Sequence, residues 1–192
     1  MRTRHFFLPL AAIVITGLCM YRATRPPRPV VEVERGLQRA FPPKGWELPD
    51  HEFRLVKFDR YLGRQSLVVY FFDAAQLETD EPVLTWLRDH ADEIYDQGWR
   101  IIAISGANPA VARKVAERDN RPWPFPILTD VELRNPAPTP VHHLWSRVDR
   151  ATGQLRPGLF LVDRLGYIRY RDGRPVAEAD PMSSLKALID GH

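Results

Sequence analysis

The chain has 192 residues, 44% hydrophobic and 27% charged, with a formal net charge of +3. Residues 1–30 hold five arginines and no acid, so removing that +5 leaves the remainder at −2 with both signs interspersed; no basic surface interleaved with aromatics stands out, which argues against nucleic acid as a partner. The single cysteine, Cys19, lies in the most apolar stretch, so the chain from residue 30 onward has no thiol nucleophile, disulfide or cysteine metal cluster.

Phe6–Tyr21, FFLPLAAIVITGLCMY, is uncharged and follows Arg2, Arg4 and His5. As a helix it would span roughly 24 Å, short for a bilayer core but workable with local thinning and snorkelling arginines. Tyr21-Arg22-Ala23-Thr24 is a poor cleavage site, and Leu18 before Cys19 is a poor lipidation signal. Residues 1–21 therefore read as an uncleaved signal anchor, with a cleaved signal peptide as the alternative. Arginines flank the segment on both sides, so charge decides orientation weakly. A short basic start before a single span points to a membrane protein whose soluble domain is extracytoplasmic, on the periplasmic side.

Residues 22–50 carry Pro26, Pro27, Pro29, Pro42, Pro43 and Pro49 and read as a semi-rigid tether. Within it Val30–Ala40 could form a short strand or helix, and Trp46 could pack back on the domain. Residues 51–192 suffice for one domain with a real core. Phe53–Phe58 reads as an outer strand and Leu67–Phe72, LVVYFF, as a central strand buried on both faces. Thr79 is a plausible cap, Glu81 and Pro82 suit a first helical turn, and apolar residues from Val83 to Tyr95 recur at helical spacing up to Gly98. Trp99–Ile104 is the next buried strand, and Asn108-Pro109 opens a second helix. Trp123–Leu128 is a short strand, Val141–Val148 a short helix, Gly158–Val162 a strand with Tyr167–Tyr170 as hairpin partner, and Asp180-Pro181 opens the last helix. This order predicts an α/β fold with a mixed central sheet flanked by helices on both faces.

Four strings carry a family resemblance: Leu62-Gly63-Arg64 before LVVYFF, WPFPILTD at Trp123–Asp130, RPGLFLVD at Arg156–Asp163, and Gly166-Tyr167-Ile168. Together they resemble the thioredoxin-like superfamily, and within it the peroxiredoxin (alkyl hydroperoxide reductase and thiol-specific antioxidant) branch. The resemblance implies a thioredoxin-like fold over about residues 50–190 and a thiol peroxidase or oxidoreductase. It places the attacking cysteine after the first core strand, where this chain reads Asp73-Ala74-Ala75-Gln76-Leu77-Glu78-Thr79-Asp80-Glu81. Aligned to a CxxC motif, the cysteine places fall near Gln76 and Thr79; aligned to the peroxiredoxin loop, the attacking place falls near Glu78 or Thr79. Neither alignment supplies a thiol, and a threonine hydroxyl has no sulfenate chemistry.

The residues therefore specify a degenerate loop (Asp73, Gln76, Glu78, Thr79, Glu81) and leave enzyme status open. The resemblance also places an active-site arginine near Arg156 and a proline, cis or trans, at Pro157. In this chain Arg156 could simply pair with the acidic loop. The two residues flank a candidate binding groove for an extended peptide.

Copper-delivering members of the superfamily pair two cysteines with a distant histidine. Here His142 and His143 stand without cysteines, read as surface residues, and are weak metal candidates with Asp73 or Glu78. No cofactor is expected. The reading is a membrane-anchored scaffold or binding module for a protein or peptide partner, with an oligomer possible. The alternatives are a thiol supplied by a partner, or a non-thiol metal-binding role.

Overall fold

The computed structural model describes residues 37–73, 81–130 and 140–190. Its strands are β1 (Leu37–Ala40), β2 (Glu47–Pro49), β3 (Leu55–Lys57), β4 (Ser66–Phe72), β5 (Trp99–Ser105), β6 (Ile127–Thr129), β7 (Gly158–Val162), β8 (Ile168–Arg171) and β9 (Arg174–Pro175). The helices are α1 (Pro82–Asp89), α2 (Ala91–Asp96), α3 (Pro109–Arg118), α4 (Val141–Leu144), α5 (Val176–Ala179) and α6 (Pro181–Ile189).

The main sheet runs β1-β8-β7-β4-β5-β6, with β9 beside β8; β2 and β3 form a separate ribbon. β4 pairs in parallel with β5 along its whole length and antiparallel with β7 from Leu67 to Phe71. With a neighbour on each edge and cover on each face, the uninterrupted LVVYFF run is what such a strand requires. Side-chain alternation sends Val68, Tyr70 and Phe72 to one layer, under α1, α2, α3 and α6, with Leu84, Leu87, Ile94, Ala112 and Leu185 among its buried members. Leu67, Val69 and Phe71 face the other layer, closed by Trp46, Phe58, Val141 and Trp145. The expected mixed sheet with helices on both faces is what is found.

Residues 37–50 are more than a tether: the short strand allowed within Val30–Ala40 and the inward packing allowed for Trp46 are both found. β1 pairs antiparallel with β8 in the register Ala40↔Ile168, and Trp46 is buried, stacked on Phe58 at 4.4 Å with its Nε1 donating to Pro43 O. The prolines here punctuate a segment that packs on the domain. The cap of α1 also differs from expectation. Glu81 takes that role, accepting from the Leu84 N–H at 2.6 Å, with Pro82 in the first turn; Thr79 lies outside the described residues. The single helix expected up to Gly98 is broken at His90 into α1 and α2. His90 leaves the helical region (φ −111°, ψ 20°), its ring stacked on Trp86 and its Nδ1 placed 3.0 Å from Trp86 O. Helical spacing of apolar residues continues through such a break, so periodicity does not show it.

The edge strand β6 is capped from the ribbon side. Asp50 bridges to Leu128, and the Ile127 N–H donates to Nδ1 of buried His51 at 3.2 Å. An accepting nitrogen is unprotonated, and burial holds His51 below the ordinary histidine value of 6.5 against the opposing pull of Asp50 and Glu52. Below pH 6.5 the unfolded chain therefore binds a proton that the folded chain refuses. Stability is expected to be complete above pH 6.5 and to decline as pH falls below it, until the lowered folded value is reached. Urea midpoints across this range should show the decline in the parent and lose this component in His51→Gln, which keeps an acceptor without titrating; identical profiles would remove His51 from the account.

Candidate functional site

The carboxyl ends of β4, β5 and β6 converge with the start of β7, which brings Asp73, Ser105, Asp130 and Gly158 to one end of the sheet. Open α/β sheets place ligands outside the carboxyl ends of their parallel strands. Of the degenerate loop, Asp73 and Glu81 are described and half-buried; Gln76, Glu78 and Thr79 lie outside the described residues. Glu81 serves the helix start and also meets the Tyr70 hydroxyl. Burial first, then the Glu81 carboxylate, push that hydroxyl well above the ordinary tyrosine range.

Arg156 and Pro157 lie beside this end, as the sequence suggests: Gly158 pairs with Phe71, so the residues before it flank the end of β4. Both are exposed, and Pro157 is trans. Arg156 does not wait for a partner. Its guanidinium pairs with Asp149, whose carboxylate also accepts from the N–H groups of Ala151 and Thr152. Arg156 and those two amides hold the Asp149 carboxyl well below the usual range. The backbone is engaged as well: the Arg156 N–H donates to Arg147 O at 2.7 Å, closing a hairpin in which Val148 bridges Leu155. Strand addition beside Pro157 therefore lacks that donor.

This hairpin leans over the end of β5, with Leu155 Cδ1 so close to Gly106 that a Cβ there would sit 2.6 Å from it. On its outer side it forms a cleft of about 780 Å³ with His143, Ser146, Arg150 and Arg156 among its walls. The structure thus brings His143 and Arg156 into one cleft. His143 and Arg150 have no side-chain partner among the described residues.

His142 overturns the expectation of two surface histidines. It is only 2% exposed. Its backbone N–H (2.7 Å) and Nδ1 (2.5 Å) both reach Asp130 Oδ2. Burial alone would raise Asp130, but these bonds and the Val141 N–H outweigh it and hold the carboxyl below its ordinary value. An ionised carboxylate only accepts, so Nδ1 carries the proton. Nε2 is buried without a partner among the described residues, and the ring meets Phe71 edge-on at 5.2 Å. Two adjacent helical residues point in different directions, which separates His142 from His143. Among the described residues no group of three or more His, Cys, Asp or Glu side chains is placed to hold a metal ion. Asp130 was not singled out from sequence; its only signal was its place at the end of WPFPILTD.

Arg147 crosses the start of β7, donating to Glu178 at 2.6 Å and lying over Phe160 at 5.1 Å from the ring centre. A Cβ on Gly158 would come within 2.5 Å of Arg147 Nη1, so a larger residue there would have to displace the guanidinium from this crossing.

The AhpC/TSA family model matches residues 39–171. Among solved structures, the peroxidoxin BcpB of Mycobacterium tuberculosis aligns at 20% identity and a TM-score of 0.53, over 78% of this chain and 97% of that one. Peroxiredoxin Q of Xanthomonas campestris aligns at 14% identity and a TM-score of 0.52, over 77% and 90%. At these identities the likeness is one of fold. No curated protein sequence matches.

Two substitutions check the geometry. Asp130→Ala strands three donors, two from His142 and the Val141 N–H, and is expected to cost about 2–4 kcal/mol in urea unfolding, with Asn, which keeps an acceptor oxygen, recovering part of it; equal stability of Ala and parent would show the pair to be idle. Gly158→Ala must displace the Arg147 guanidinium and is expected to cost about 1–2 kcal/mol. In an Arg147→Ala background that penalty should vanish, and its persistence would place the clash elsewhere.

Proposed function

The chain belongs to the AhpC/TSA family, and we propose that it is a member that binds through the family's fold without thiol chemistry, held at a membrane by residues 1–21 with its domain on the extracytoplasmic side. The observation that carries this reading is the position of the only cysteine. Cys19 lies outside the matched residues 39–171, so the loop after β4, where the resemblance places the thiol near Gln76, Glu78 or Thr79, has none, and the carboxylates Asp73 and Glu81 flank it. Carboxylates beside a thiol raise its pKa, so this surrounding opposes thiolate formation as well as lacking the thiol.

What the domain offers instead is the cleft on the hairpin side. His143 and Arg150 are available there, Ser146 supplies a hydroxyl, and Arg156 is held in a fixed position by Asp149. Such a set suits a protein or peptide segment bearing a carboxylate, read by side chains and not by strand pairing. No described helix is long and apolar enough to cross a membrane, and Phe6–Tyr21 lies outside the described residues. The anchor therefore rests on its uncharged sequence and flanking arginines.

The test is peroxide consumption by the full chain with a dithiol reductant. No rate above the protein-free control is expected, for the parent and for Cys19→Ala alike. A parent rate above that control would overturn the non-catalytic reading, and its loss in Cys19→Ala would name the thiol responsible.

A further inference from the structure

β8 and its neighbours carry an arrangement that folding alone does not favour. In the β1–β8 register Arg39 stands directly opposite Arg169, and in the β8–β9 register Arg171 stands opposite Arg174. Like charges facing each other across antiparallel strands are destabilising. All four side chains are exposed, and Arg39, Arg169 and Arg174 have no carboxylate partner among the described residues. The only acid in the β8–β9 turn is Asp172. This is a local asymmetry, because the chain beyond residue 30 carries a net −2.

Strand alternation fixes which face bears the charge. Ile168 and Tyr170 pack into the core layer closed by Trp46 and Phe58, so Arg169 and Arg171 project from the opposite face. Phe41 and Tyr167 continue this stripe two residues beyond Arg39 and Arg169, stacked at 4.1 Å, with Lys44 Nζ 4.2 Å from the Phe41 ring centre. Phe41 is 52% exposed and Leu165, in the adjoining turn, 68%. Arg64 and Arg164, in turns that meet at Gly63 and Gly166, add two more exposed cations. The nearby acids Asp59 and Asp163 are already accepting from backbone N–H groups.

We infer that this face rests on an anionic lipid bilayer, with Arg39, Arg169 and Arg174 on headgroup phosphates and Phe41 and Leu165 dipping into the boundary. Cations interspersed with exposed aromatic and aliphatic side chains are the pattern of peripheral membrane contact. The covalent layout favours lipid over a soluble acidic partner. Only residues 22–36 separate the apolar segment from β1, and fifteen residues reach at most roughly 50 Å. Arg39 is the third residue of the described domain, so the basic face begins where that short connection ends. The inference rests on the anchored reading for its choice of partner, and it assigns the domain a fixed posture on the membrane in place of free swinging.

The test uses the full chain reconstituted in nanodiscs of phosphatidylcholine alone or mixed with phosphatidylglycerol. Hydrogen–deuterium exchange is followed in peptides covering 38–44 and 163–171, and alkaline carbonate extraction reports the anchor separately. Slower exchange of both peptides in the anionic discs only, reversed by salt, is expected. Arg169→Glu puts an opposite charge across from Arg39, so its urea midpoint should hold or rise. Its lipid contact should weaken by on the order of thirtyfold, with loss of the protection. Equal exchange in both discs overturns the inference whatever extraction shows. Protection conferred by soluble polyglutamate but not by anionic discs overturns it in favour of an acidic protein. Failure of carbonate-resistant insertion would count against the anchor, and salt-sensitive protection on anionic discs would still uphold the face.

Discussion

Burial of β4 on both faces and both edges is the constraint from which the rest of the domain follows. A strand with neighbours on each side must satisfy every backbone group in the ladder, and one covered above and below must be apolar at every position. Leu67 to Phe72 meets both demands, each residue no more than 2% exposed. Alternation then divides the molecule into two core layers with no further instruction. Helices α1, α2, α3 and α6 collect over Val68, Tyr70 and Phe72, while Trp46, Phe58, α4 and Trp145 collect over Leu67, Val69 and Phe71. The second layer is built largely of aromatic rings. Phe71 lies within 5.7 Å of His142, Trp145 and Phe160. Through Phe71 the core meets the functional end, because its pairing partner is Gly158 and its ring faces the buried imidazole.

That coupling is a property of the scaffold and not of any reacting group. Thiol catalysis in this family needs one side chain at the end of β4, whereas the scaffold needs β4, Gly158, the Arg147 crossing and the Asp130–His142 clasp. None of these contacts calls on a thiol. Three of the carboxylates near this end are engaged within the domain, while His142 Nε2 stays without a partner among the described residues. Asp149 neutralises Arg156, Glu81 caps α1, and Asp130 takes two donors from His142. The Arg156 guanidinium is likewise committed to a hairpin carboxylate.

How much of this was legible in the chain divides by range. The β4 run, the Asn108-Pro109 and Asp180-Pro181 helix starts and the β7–β8 hairpin are local signals, and they lie where the sequence puts them. The resemblance strings located the sheet and its carboxyl end. What escaped was set by contacts between distant segments. The depth of His142 depends on Asp130, twelve residues earlier, and on Phe71 in another strand, so two adjacent histidines gave no hint that one is core and the other cleft. For residues 37–50 the sequence allowed a short strand and a returning Trp46 but named no partners, because β8 and Phe58 lie in other segments. The partner of Arg156 is only seven residues away, but it is brought there by the Val148–Leu155 hairpin, which carries no turn signal as strong as the acidic loop the resemblance places nearby.

The arginine registers on β1, β8 and β9 belong to the same lesson read in the other direction. In sequence, Arg169, Arg171 and Arg174 are an ordinary alternating stretch of a half-exposed strand, and Arg39 sits in a proline-flanked segment. Only the register opposes them, and only the alternation shows that they share a face with Phe41. A strand that needed nothing but solubility could alternate Lys with Glu and gain from cross-strand pairs. Between Arg39 and Arg169 this edge forgoes that gain, and that pair lies in the first strand after the segment that follows the apolar stretch. A cost of this kind in the free domain is recovered when anionic groups enter between the guanidinium planes, which neutralises both members of a pair together. The edge is therefore less stable alone than it would be when bound, and its charge pattern favours an extended anionic surface over a single carboxylate.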